Sequence, residues 1–140
     1  MTTRANRLPA PRRGRPLRTA FARATGRHRT FLIATCVALV LAAIADEATG
    51  YDGPGPFIYP AFAVLIALLP WRFTPLFVVA MSALFIFGGL ESPEFVHRLT
   101  TPGQALNFAA AWLQMLGFAA AAGFAVAAVV VSHRAAGSRS

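Results

Sequence analysis

Four apolar runs, at residues 30–45, 57–70, 75–90 and 102–132, hold no Asp, Glu, Lys or Arg. Such runs constrain the backbone first. Hydrocarbon offers no water to an unpaired N–H or C=O, and an α-helix satisfies those groups within its own segment. The runs therefore predict membrane helices. Composition agrees: 56% of residues are hydrophobic and only 13% charged, against about 25% charged in a soluble domain. At 140 residues the chain is one domain.

The charges sort across these runs. Arg4 to Arg29, Arg72, Arg134 and Arg139 fall on one side, and Arg98 alone falls on the other. All five acids (Asp46, Glu47, Asp52, Glu91 and Glu94) share the side of Arg98. Arginine-rich flanks stay in the cytoplasm. The pattern thus predicts a multi-pass protein of a bacterial inner membrane, with four spans and both termini cytoplasmic. The expected fold is all-α: a four-helix transmembrane bundle with antiparallel neighbours, because the connections between spans are short. The basic residues are all arginine, which is read as codon bias.

Residues 1–29 carry Arg12, Arg13, Arg15, Arg18, Arg23, Arg27 and Arg29 among nine arginines, and no acid. With little apolar surface to bury, this segment is expected to be a disordered cytoplasmic tail. A short amphipathic turn fits around Leu17 to Phe21. The tail serves as a retention signal or as a polybasic arm on anionic lipid head groups. Nucleic acid is not an expected partner, since stacking aromatics are missing apart from Phe21.

Span one, 30–45, covers roughly 24 Å, short of a core of roughly 30 Å. Its basic flank and the Ala43-Ile44-Ala45 ending also fit a cleaved signal peptide, so retained anchor and signal both stay open. Cys36 has no partner for an internal disulfide and is read as a small apolar filler. Residues 46–56 form an acidic Gly-Pro loop that forbids regular structure. The run from 57 to 90 is split at Pro70-Trp71-Arg72-Phe73-Thr74-Pro75. Arg72 at mid-bilayer would cost about 2.5–3.5 kcal/mol. A hairpin instead places Trp71 and Arg72 at the head groups, with Thr74 capping the next helix. Ser92-Pro93-Glu94 starts a short interfacial helix with Phe95, Val96 and Leu99 on its apolar face. Thr101 and Gln104 read as a capping box for span four. Residues 133–140 form a short cytoplasmic tail.

Chemistry is sparse. No metal site is expected: His28 and His133 lie inside and His97 outside, without zinc-ligand spacing. Glu94 and His97 share a face as a surface pair. No charged group is placed inside a span, where an ion-coupled transporter usually needs one. No catalytic constellation and no cofactor motif is visible, so the expectation is a non-enzyme without cofactors.

Polar and small residues on span four are the strongest remaining signal. Asn107 and Gln114 are seven apart and point the same way, a stripe continued by Ala121 and Ala128 beside Ala110, Gly117 and Ala125. Ala119, Gly123 and Ala127 make a second small row on another face. Such faces let helices approach closely. Two small faces on one helix predict an accessory or assembly subunit acting through helix–helix association, with a membrane protein partner or as a homo-oligomer. The alternative is an oligomeric channel or carrier with a polar path through Asn107 and Gln114. A membrane-disrupting, holin-like role stands third.

Overall fold

The computed structural model describes residues 19–48, 55–69, 71 and 73–137. All regular structure in them is helical: α1 (Ala20–Arg23), α2 (Gly26–Ala48), α3 (Gly55–Leu68), α4 (Thr74–Glu91), α5 (Pro93–Thr100) and α6 (Ala105–Gly137). Three of these, α2, α4 and α6, are long and apolar enough to cross a membrane. α3 is equally apolar but shorter, at 14 residues.

α2 and α6 form the central pair and run antiparallel, since His28 meets Ala128 near one end and Asp46 meets Gln114 towards the other. Small residues explain how closely they approach. A Cβ on Gly117 would lie 3.1 Å from Ala42 Cβ and 3.2 Å from the Ala38 carbonyl. Ala121, Ala125 and Ala128 continue this face and are fully buried. The stripe read from the sequence is therefore consumed within the bundle from Gln114 onward. α3 packs along α2, and α4 along α6. Where α3 and α4 meet, Tyr59, Phe85 and Phe118 form an aromatic triad with ring centroids 4.9–5.5 Å apart. Edge-on and offset contacts at this range add about 0.5–1.5 kcal/mol each beyond area burial.

Several boundaries differ from those expected. Within the segment expected to be a disordered tail, residues 20–23 and 26–29 are helical, with Ala24 and Thr25 between the two helices. Thr19 Oγ1 accepts from the Ala22 N–H at 3.3 Å, Ala20 and Ala24 are buried, and Gly26 turns the chain into α2 with φ +55°. A positive φ of this size suits glycine because a Cβ would clash. The rest of the expected tail, residues 1–18, lies outside the described residues.

α2 runs three residues past the expected end, through Asp46 and Glu47 to Ala48. α6 begins at Ala105, three residues later than expected. The capping box at Thr101 is not formed. Thr101 Oγ1 pairs with His97 Nδ1 at 3.3 Å, and the Gln104 carbonyl starts the helical ladder by accepting the Phe108 N–H at 2.9 Å. Thr74 is the first residue of α4 rather than its cap, and its buried hydroxyl has no partner. Ser92 does precede α5 with Pro93 following, but its hydroxyl makes no cap bond. Gly89 lets the Phe95 ring lie against α4, where an added Cβ would meet it at 3.2 Å. This folds the short helix back onto the bundle.

Candidate functional site

The buried faces of three helices each carry a polar residue, and the three faces converge. On α2, Leu39, Ala42, Ala43 and Asp46 follow helical i, i+3, i+4, i+7 spacing and are all buried. On α6 the half-buried Gln114 lies between the buried Ala110 and Ala111 and the buried Gly117, Phe118 and Ala121. On α3 the buried set is Ile66, Ala63 and Tyr59. The apolar residues pack the helices together, so the polar residue among them on each face points inward.

Asp46 is only 5% exposed. Gln114 Nε2 donates to Asp46 Oδ1 at 3.1 Å and lies 3.4 Å from Tyr59 Oη. The Tyr59 hydroxyl also hydrogen-bonds the Asp46 carboxylate. The amide supplies two N–H donors and the phenol one O–H, which together close a triangle around the carboxylate. Buried polar groups need this kind of closure, because a half-satisfied network costs more than an apolar core. Arg98 on α5 is near enough for its positive charge to act on Asp46, while Glu47 contributes a like charge. Trp112 Nε1 donates to the Leu99 carbonyl at 3.3 Å, and that bond holds α5 against α6 next to the site.

Asp46, expected in the loop after span one, lies in the last turn of α2. Asp46 continues α2 because it finds donors and a nearby cation at that height. Arg98, the one arginine among the acids, is close enough for its charge to act on Asp46.

Asn107 does not join Gln114. It is half-buried and donates through Nδ2 to Gln104 Oε1 at 3.0 Å, on its own segment. Gly117 and Ala121 lie in the α2 contact, whereas Gly123 is exposed with nothing within 4 Å of an added Cβ. Ala119 is also exposed and Ala127 half-buried. Cys36 Sγ donates to the Ala63 carbonyl at 3.4 Å, as a small side chain between α2 and α3. Glu94 and His97 lie exposed on α5.

Of the head-group candidates, Arg23, Arg27, Arg29 and Trp71 are exposed at the arginine-rich end, where the Trp71 ring packs on Phe73 and Phe77 at 5.7 and 5.8 Å. Arg12, Arg13, Arg15, Arg18 and Arg72 lie outside the described residues. No group of three or more His, Cys, Asp or Glu is arranged to hold a metal among the described residues.

Chemically, the triangle can hold helices together and can hold or release a proton at Asp46. It places no nucleophile beside a base. Tyr59 lay outside the candidates drawn from sequence, and Asp46 was assigned there to a solvated acidic loop. The available signal was the seven-residue spacing from Leu39 to Asp46, combined with the isolated Arg98. No protein-family model matches the chain, and comparison with curated proteins and with solved structures finds no match.

Proposed function

We propose that this chain is a non-enzymatic, four-span bundle of a bacterial inner membrane, an accessory or assembly subunit that works by helix–helix association. The observation that carries the reading is the division of labour on α6. Its Gly117–Ala121–Ala128 face is used up against α2, while Ala119 and Gly123 point outward with open space at Gly123. Lipid-facing positions favour large apolar side chains such as Leu116 and Val130, which flank this row and are exposed. A small row among them suits close approach by another helix.

Counting α3 as the fourth span is supported by its ends. Tyr59 reaches Asp46 and Gln114, and Leu69, just beyond the helix, lines a cavity with His28 and Ser132. At about 21 Å for 14 residues, it spans by thinning the bilayer locally. The arginine distribution supports cytoplasmic termini, and the basic tail suits anionic lipid head groups. The channel alternative loses support, since Asn107 and Gln114 are both engaged within the fold and do not line one path.

Photo-crosslinking in native membranes tests the reading. A photoreactive residue at Gly123 should capture a specific protein or a second copy, whereas one at the equally lipid-facing Leu84 should capture none. Equal, diffuse labelling at both positions would sink it.

A further inference from the structure

Asp46 lies two residues before the end of α2, and only 5% of it is exposed. An ionisable side chain between membrane helices is costly to keep and so points to a function. Two effects oppose each other there. Removal from water disfavours the anion, whereas hydrogen bonds donated to the anion favour it. We infer that Asp46 is a proton-binding site, open to the acidic end of the bundle, and that Tyr59 and Gln114 compete with the proton for its carboxylate.

The hydrogen bonds of the cluster are matched to the anion. As an anion Asp46 is a pure acceptor, and it receives the Gln114 Nε2–H at 3.1 Å and the Tyr59 O–H. A proton taken up from water at the acidic end forms an O–H bond on one carboxylate oxygen. That oxygen then donates instead of accepting. The bonds left to the neutral acid are roughly half as strong as the charge-assisted ones. The coupling is reciprocal: proton binding weakens the two ties, and the two ties weaken proton binding. The change falls on the junction of α3 and α6 with α2. Phe85 and Phe118 still pack edge-on against the Tyr59 ring, so the junction is loosened and not broken.

Few charges surround the site. Glu47 on α2 itself adds a like charge, and Arg98 on α5 adds an opposite one. α3 brings the Tyr59 phenol. α4 has one charged residue, the exposed Glu91 at its last position, and α6 carries His133 and Arg134 at its far end. Inward the way is closed. The same face of α2 continues as the buried Ala43, Ala42 and Leu39, and Thr35 below them already gives its hydroxyl proton to the Phe31 carbonyl at 2.8 Å. The proton therefore enters and leaves on one side. Such a site responds to acidity at that end of the bundle and does not conduct. Proton binding at Asp46 owes nothing to the outward face of α6, so it stands or falls separately from association through Gly123.

The test is infrared difference spectroscopy of the full chain in detergent micelles, stepped from neutral to acid pH. A carboxyl group shielded from water absorbs apart from carboxyls that water reaches, so a proton on Asp46 gives its own C=O band. The band should be absent from Asp46→Asn and kept in Glu47→Gln. Tyr59→Phe and Gln114→Leu each remove one donor to the anion. Each should tighten proton binding about 3–20-fold, the effect of one hydrogen bond between membrane helices, and so move the midpoint of the band to higher pH. A side chain with a merely structural role would leave the midpoint in place. These two variants also give an answer should Asp46→Asn fail to fold. Absence of such a band from the parent overturns the inference. So does a band that persists in Asp46→Asn, a band lost in Glu47→Gln, or a midpoint that neither Tyr59→Phe nor Gln114→Leu moves.

Discussion

Gln114→Leu removes the amide from the Asp46 site while keeping a side chain of similar size. The structure sets the magnitude. One lost bond is well formed, at 3.1 Å to a carboxylate oxygen, and the other is long, at 3.4 Å to Tyr59. Hydrogen bonds to charged groups contribute about 1.5–3 kcal/mol in water-soluble proteins, whereas those between membrane helices average about 0.6 and reach about 1.7. Asp46 keeps the Tyr59 hydroxyl and the charge of Arg98. The expected loss is therefore about 1–2 kcal/mol, enough to weaken the bundle without unfolding it.

Asp46→Leu should cost at least as much, because it removes the acceptor shared by the amide and the phenol and leaves them only their long mutual contact. The double variant should then cost less than the sum of the singles, by about 1 kcal/mol. A reversible unfolding titration in mixed micelles, read by tryptophan fluorescence, measures all four corners of the cycle. Additivity within about 0.3 kcal/mol would refute the direct pairing of Asp46 with Gln114. Outright loss of the folded protein in Gln114→Leu would show that the bond matters far more than this reasoning permits.

Two other variants and a labelling experiment extend the account. Gly117→Leu should disrupt the bundle in the same titration, since even a Cβ there lies 3.1 Å from Ala42 and 3.2 Å from a backbone oxygen. Gly123→Leu, facing open space, should leave monomer stability within about 0.5 kcal/mol; equal damage by both would show that the two faces are not distinct. For orientation, Glu94→Cys should react with an impermeant thiol reagent on intact cells and Arg134→Cys should not. The reverse pattern would invert the topology.

How much was legible beforehand follows from which physics is local. Apolar runs and Pro70–Pro75 marked four helices and the break between α3 and α4. Ser92-Pro93 marked the start of α5 to the residue. These are properties of short windows. The Gly117 and Gly123 faces were also visible as periodicity, although periodicity alone does not tell which face turns inward. That choice depends on α2, whose Ala38 and Ala42 leave room for a glycine.

The Asp46 site was harder to see because a carboxylate at the edge of an apolar run looks like the start of a loop. Its burial depends on Tyr59 and Gln114, 13 and 68 residues away along the chain. Only their arrival makes the helical conformation at Asp46 affordable. The caps failed for a related reason. Thr74 and Thr101 have the right identity for capping, yet tertiary packing buried one hydroxyl, and His97, one turn earlier in the chain, took the other.

The most direct test of the central claim is native mass spectrometry of the tagged protein, extracted gently from its own membrane, beside its Gly123→Leu variant. The expected result is a defined complex in the parent, with a second protein or further copies of this chain, that falls to the monomer in the variant. A monomer in both, or an unchanged complex in both, would contradict association through the outward face of α6.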